Sequence, residues 1–504
     1  MERANPHLHF NSRFGKPSGK TGIEITTSTL TLDCNGHTIS GNADVGIYVI
    51  SKNNVAIRQC RIEGFSQGMT ASGNNNFQLE NNIFENNKVA AYILDCPSIQ
   101  IKENVFQNNQ VASQIYWSKD CSLSGNKFGK NRVGLLLHSP NCTLRQNEFL
   151  KNQYNFGISY YLETFTLAYD SKYFRHDIDT SNTINGKPIY YLVDKENITV
   201  PSDASYVAVV DSKNITIKNL NLENNWQGIL VVGSEEVFIR KNWIRNNWCG
   251  IQVASSERGE IAQNVIEENW RGGIYIGGGY TSGGTSQFEI FENKIQKNRS
   301  ISSPIDWFLR KTEGSGIWIY QSSNNRIFKN EIVFNQIGIA IGFWGAKNNQ
   351  IFNNVFFKNG SALWMTDARY NEIFENLFFS NNFPLNWPVL NVPSFNKFYK
   401  NTLVSSVIPF VVPSYIQSVV HLNSIFLNNF IARPSVDVHL NPDVSADTHT
   451  PEELEYTFEN VQRKSYLGNY YLDYQGKDEN KDGIGDTFFY SRYNQLIDKY
   501  PLLS

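Results

Sequence analysis

The chain has 504 residues, with 45 Lys and Arg against 47 Asp and Glu, a net charge of -2 and only 18% charged residues. So even a balance excludes the basic footprint of a nucleic-acid binder and the composition of a disordered polyelectrolyte. Polarity comes instead from about 60 asparagines, beside 13% aromatic residues, which describes an ordered surface rich in amides. No stretch approaches the roughly 18 apolar residues of a membrane-spanning helix, and the start MERANPHLHF lacks the apolar core of a secretory signal. The six Cys residues include no C-x-x-C pair, so neither a zinc ribbon nor a redox motif is expected.

Residues 1–19 read as a lead or cap. From 20 to 153 the pattern I-x-x-N-x-(I/F)-x-x-N recurs, with its first Asn at Asn82, Asn104, Asn126 and Asn147, a step of about 22 residues. It resumes between 211 and 435 at Asn242, Asn264, Asn293, Asn330, Asn354, Asn376, Asn401 and Asn428. Each copy holds short alternating runs such as FQLENNIF, rich in Ile, Val and Phe and bounded by Asn or Gly. That is a strand signature. Three short strands and three turns fill one copy, and copies stacked at the roughly 4.8 Å strand spacing build a right-handed parallel β-helix. An Asn at a fixed turn position tolerates left-handed backbone and can hydrogen-bond its equivalents above and below, so the Asn column reads as structural. Residues 154–210 break the period and read as an inserted β segment, and 436–504 as an irregular tail.

The repeats, the segment HDIDTSNTINGKPIYYLV and the tail GNYYLDYQGKDENKDGIGDTFFY resemble the NosD-like proteins, right-handed β-helices with carbohydrate-binding/sugar-hydrolase (CASH) repeats in the pectin-lyase-like superfamily. Many of these are archaeal surface proteins. The resemblance implies an extracellular, periplasmic or cell-surface protein. It admits three activities: polysaccharide recognition with processing by a lyase, epimerase or hydrolase, a non-catalytic envelope or adhesion scaffold, and an accessory role in metalloenzyme maturation. The expected partners are a polysaccharide or glycan and other cell-envelope proteins. Whether the chain is an enzyme stays open. With 8 His and 3 Met, and only His7 and His9 close together, no copper site is expected.

The position after the second Asn of each repeat holds Lys88, Gln110, Arg132 and Gln153, then Trp226, Trp248 and Trp270. Polar neighbours in the column predict that the three indoles face solvent as a ladder suited to stacking on sugar rings. Irregular segments flank them, and the second contributes Asp306, Trp307, Arg310 and Glu313. Glu235, Glu236 and Glu257 lie on a neighbouring turn beside a Gly-rich flap at 277–284. Paired carboxyls about 5 to 9 Å apart would serve a hydrolase, and a base beside a uronate carboxylate a lyase. Asp306, Glu313 and Glu257 are the candidate catalytic acids. Arg175, His176 and Asp177, with Asp179, form the densest titratable cluster, suited to uronate chemistry or to a fixed Arg–Asp pair. In the tail, Asp478, Asn480, Asp482, Ile484 and Asp486 form a D-x-N-x-D-G-x-x-D run that predicts a structural Ca²⁺ loop, with Asp473 or Asp498 completing the shell and a metal-free Asx turn as the alternative.

Overall fold

The structure, a computed structural model, describes residues 20–41, 43–158, 171–278, 284–298, 314–342, 345–386, 394–407, 410–411, 423–435, 438–439, 446–490 and 496–503. Among these, the single helical element is the 3₁₀ turn Ser171–Phe174. Most of the remaining regular structure is a right-handed parallel β-helix, with antiparallel pairs added by Leu454–Phe458 with Val461–Ser465 and by Phe489–Tyr490 with Leu496–Asp498. The chain divides into two compact units: 1–162 with 172–193 and 224–226, and 163–171 with 194–223 and 227–504.

Each coil carries one strand of about six residues and two of three, for example Val89–Leu94, Gln100–Lys102 and Val105–Gln107. Alternation explains the short strands: Ile101 and Phe106 point inward and are buried, while Gln100 and Lys102 face solvent. In the first unit the parallel register carries Ile47 onto Met69, Ala91, Ser113, Leu135 and Phe156 in successive coils. A second internal column stacks Phe84, Phe106, Phe128 and Phe149 with ring centroids 5.0, 5.0 and 4.8 Å apart.

The segment expected as an insert supplies strands of this same stack. Tyr154–Ile158, Asp177–Ile178 and Thr183–Ile184 pair in parallel with the coil before them. Lys187–Val193 then folds antiparallel onto Thr183–Ile184. In the second unit, two sheets reach 11 and 10 strands. Stacking continues into the expected tail, where Ala446–Asp447 and Tyr470–Tyr471 add parallel pairings on either side of the antiparallel hairpin of Leu454–Phe458 with Val461–Ser465.

The asparagine columns hold the corners together from inside. Asn104 Nδ2 donates to Leu79 O at 2.7 Å and to Asn126 Oδ1 at 3.1 Å, and its backbone N–H donates to the same Oδ1 at 3.0 Å. The pattern repeats through Asn82, Asn126, Asn147 and Asn182. In the second unit it runs from Asn242 to Asn428 and on to Asn469. The side-chain amides of these ladder asparagines are satisfied within the protein, which removes the cost of about 1–3 kcal/mol for each buried polar group left unpaired. The left-handed backbone, however, belongs to the preceding residue: Asn81, Glu103, Gly125 and Gln146 have φ of 54°, 55°, 66° and 55°. The ladder Asn itself keeps ordinary geometry because its side chain points into the coil, so residues as different as Glu and Gly accept the strained place beside it.

Disulfides Cys34–Cys60 and Cys121–Cys142 each join adjacent coils, with Cα atoms 4.8 and 4.5 Å apart. Cys96 and Cys249 are buried thiols.

Candidate functional site

The three indoles do not form one exposed ladder. Trp226 belongs to the first unit and is only 7% exposed. Its ring meets Tyr154 edge-on at 6.0 Å, and its backbone N–H donates to Phe156 O at 3.0 Å. Gly157 makes this seat possible, since a Cβ there would lie 2.0 Å from Trp226 Cβ. The preceding coil therefore covers a ring that its column had predicted to be solvated. Trp248 and Trp270, in the second unit, are half-buried and lean together with centroids 4.1 Å apart and planes at 32°. Each occupies part of one face of the other.

These two rings edge a larger aromatic assembly. In the long strands of the second unit, Ile274 and Ile276 point into the coil, so Tyr275 points out, and Trp318 and Trp364 take the equivalent place on later coils. Tyr275, Trp318, Tyr320 and Trp364 nevertheless pack into one cluster at 8% exposure or less, with Trp248 against it. Tyr275 and Trp318 meet edge-to-face at 5.3 Å. A polar chain runs alongside, from Tyr206 Oη to Gln227 Oε1 at 3.3 Å and from Gln227 Nε2 to Gln252 Oε1 at 3.0 Å. Burial pushes the neighbouring Cys249 thiol up to about 12, against the pull of Arg271.

Around the corner lies the most accessible indole of the region. Trp243 is 41% exposed, with the Arg245 guanidinium 4.0 Å from its ring centre and its Nε1–H donated to Glu267 at 2.7 Å. Burial opposes ionisation of Glu267, yet hydrogen bonds from Gln296 and Trp243 hold its carboxyl below the usual range. Trp243, Arg245 and Trp248 come from one coil and Glu267, Trp270 and Arg271 from the next, so two coils assemble the whole corner.

The candidate acids are held by partners of their own. Glu257 and Glu235 are both paired with Arg258, Glu257 at 3.1 Å, and Lys213 adds contacts to Glu235 and Glu236 at 3.5 and 3.9 Å. All are well exposed, which describes a solvated ion-pair network. Strand alternation also scatters the cluster of Arg175, His176 and Asp177. The His176 ring turns inward, where its Nδ1 accepts the Cys142 N–H at 3.3 Å and burial drives its pKa down to about 3, so it is neutral. Asp177 turns outward and pairs with Arg145, which also reaches Asp179 at 3.2 Å. Arg175 contributes its carbonyl to Asn141 N–H. Asp306, Trp307, Arg310 and Glu313 lie outside the described residues, as does most of the flap, at 279–283.

In the tail, Asp478 accepts the N–H groups of Asp482 and Gly483 at 2.9 and 2.8 Å, Asn480 that of Asp482 at 3.0 Å, Asp482 that of Ile484 at 2.8 Å, and Asp486 that of Glu479. Gly483 supplies the tight turn with φ 83°. Among the described residues no three acidic, His or Cys groups gather as a metal site. Asp498, expected as a further ligand, is fully buried elsewhere. It accepts from Asn469 N–H at 2.7 Å and Tyr500 N–H at 2.9 Å, closing the long asparagine column.

Two family models match the sequence: "Right handed beta helix region" over residues 3–128, and "Periplasmic copper-binding protein (NosD)" over 168–361 and 340–476. The chain belongs to the NosD family. No curated protein sequence matches this NosD-family chain. Solved structures with similarity include the periplasmic alginate epimerase AlgG, at 11% identity and a TM-score of 0.28, covering 71% of this chain and 78% of that one. DFA-IIIase from Arthrobacter chlorophenolicus A6 in complex with DFA-III aligns at 9% identity and 0.34, over 80% and 87%. A PL6 alginate lyase in complex with a trisaccharide aligns at 12% and 0.27, over 89% and 86%. No helix among the described residues is long and apolar enough to cross a membrane.

In this NosD-family chain the corner residues Trp243, Arg245 and Glu267 escape a reading by column, because the repeat places them on a strand and not at the turn that draws attention. Their signal is parity: Trp243 and Arg245 flank the inward Ile244, so both must point out.

Proposed function

We propose that this protein recognises a polysaccharide through the corner formed by Trp243, Arg245, Trp248, Glu267 and Trp270, without breaking bonds at the described carboxylates. The observation that carries the reading is the Trp243 indole: two-fifths exposed, orientated by an Arg on its face and a Glu on its N–H, with the half-buried pair Trp248 and Trp270 supplied by the same two coils. Such a group offers an apolar face for the C–H surface of a pyranose and charged or amide groups for its hydroxyls. Glu257, Asp177 and His176 support binding over cleavage, since the first two are ion-paired in solvent and the third is buried and neutral. The two disulfides favour an oxidising location outside the cytoplasm.

The test is affinity electrophoresis through gels containing alginate, pectin or neutral glycans. Retardation by at least one of them is expected, with W243A and the double variant W248A/W270A each weakening it about tenfold, the scale of a lost stacking contact. Unchanged retardation in both variants, or none in the wild type with any glycan, would overturn the reading.

For the tail we propose that Asp478, Asn480, Asp482, Ile484 and Asp486 take up Ca²⁺ and order the C-terminal residues. The oxygen spacing and the turn at Gly483 support this. Against it stands the use of these oxygens by the loop's own amides. Chelation with EGTA is expected to lower the unfolding temperature of the tail by several degrees, and an unshifted melt would leave the Asx-turn loop as the better account.

A further inference from the structure

The second unit carries an outward row of rings that neither the glycan corner nor the core explains. In the strands Glu289–Phe291, Arg326–Phe328, Gln350–Phe352, Glu372–Phe374 and Lys397–Tyr399 the middle residue points inward, so the third residue, an aromatic ring each time, points out. The rings stack at 5.0 to 5.1 Å with planes within 12°. Their faces are thus taken by one another, and what they present to a partner is a strip of edges. Further apolar groups are exposed on the neighbouring elements: Tyr370 and Phe395, 53% and 39% exposed, in the turn before these strands, and Val355, Leu377 and Phe379, 39%, 38% and 43%, on the strands that follow.

The charges on either side of the strip, already paired along the column as Arg326 with Glu289 at 2.6 Å and Lys397 with Glu372 at 3.3 Å, follow an order that bears on the partner. On one side, Glu289, Arg326, Gln350, Glu372 and Lys397 succeed one another coil by coil, so the column runs acid, base, amide, acid, base. On the other side, the turn residues Glu292, Lys329, Asn353, Glu375 and Lys400 repeat the same order. Read in reverse, such a column is its own electrostatic complement. Two copies placed face to face with antiparallel helix axes set acid against base at four coils and amide against amide at the middle one. A parallel arrangement about the helix axis would instead set like against like along both columns. An isologous contact demands this self-complementarity, and charge patterns of this kind select orientation more than they add affinity.

We propose that the chain forms an antiparallel two-fold dimer through this face, centred on the coil of Gln350 and Phe352. Sedimentation velocity of the full chain tests it. The wild type should sediment as a dimer at micromolar concentration. R326E/K329E and E372K/E375K should each raise the dissociation constant about tenfold or more, because each sets like charges opposite one another. An equimolar mixture of the two variants should dimerise again, which also shows that both are folded. A monomeric wild type, or variants that dimerise as well as it and gain nothing from mixing, would overturn the proposal. So would a monomeric wild type that co-sediments with phosphatidylcholine vesicles, which would assign the face to a lipid surface.

Discussion

The first unit stacks Phe84, Phe106, Phe128 and Phe149 inside its coils, while the second stacks Phe291, Phe328, Phe352 and Phe374 outside, at the same spacing of about 5 Å. Spacing alone therefore says nothing about burial. The solenoid repeat dictates that like residues align, and parity within a three-residue strand decides whether the aligned rings become core or surface. A ring in the middle place, as in Ile83-Phe84-Glu85, fills the coil; a ring in the last place, as in Glu289-Ile290-Phe291, faces out and leaves the filling to Ile.

The strongest way to break this comparison is to remove one ring from each stack. Phe106→Ala leaves a cavity in a fully buried column and is expected to cost about 3–5 kcal/mol. Phe352→Ala removes a half-solvated ring and should cost about 1 kcal/mol. Denaturant midpoints of the two variants measure the difference. Comparable losses would mean that the outer stack is as well covered as the inner one, and the dimer face would have to be reconsidered.

A second prediction contrasts the ends of the asparagine columns. Along the second unit each Asn hands its N–H groups to the next, until Asn469 meets the Asp498 carboxylate in place of an amide. Burial raises the Asp498 pKa to about 6, against hydrogen bonds from Tyr500 and Asn469 that favour the ion. Because this folded value lies above the roughly 3.9 of a free Asp, the group's contribution to stability is complete below about pH 4 and is lost as the pH rises through about 6. Asp498→Asn keeps an acceptor without the charge. It should erase the difference between pH 4 and 7 in hydrogen exchange at Asn469 and make the C-terminal coil more stable than wild type above pH 7. A variant that is less stable at all pH values would show that the ion itself is needed there.

The sequence made the coils, the strand content and the asparagine columns legible because all three depend on a period that survives most insertions. Asn182 and Asn469 complete the columns but lie 35 and 41 residues from their partners, so no fixed step finds them. The disulfides could be read from the same period, since Cys34–Cys60 and Cys121–Cys142 are separated by 26 and 21 residues, about one coil. The indoles were less accessible to this reasoning. Exposure of Trp226 is decided by Gly157, a residue 69 positions earlier that offers its ring a seat, and no property of the Trp column reports it. Candidate acids chosen by proximity in sequence likewise ignore alternation, which sends His176 inward and Asp177 outward.

The smallest expected effect separates an acid held by neighbours from one held for chemistry. Glu257 is paired with Arg258, and Arg258 is shared with Glu235 and Glu236 on the preceding coil, so Glu257→Gln leaves the arginine two carboxylates. All the side chains involved are about two-fifths exposed, where water screens each pair and leaves it little net worth. The variant should leave the denaturant midpoint unchanged and leave glycan retardation untouched, while W243A abolishes most of it. If Glu257→Gln instead removed release of reducing ends or of unsaturated products from a glycan that the wild type degrades, the carboxylate would have a role that its ion pairs conceal, and the corner around Trp243 would be a subsite of an enzyme.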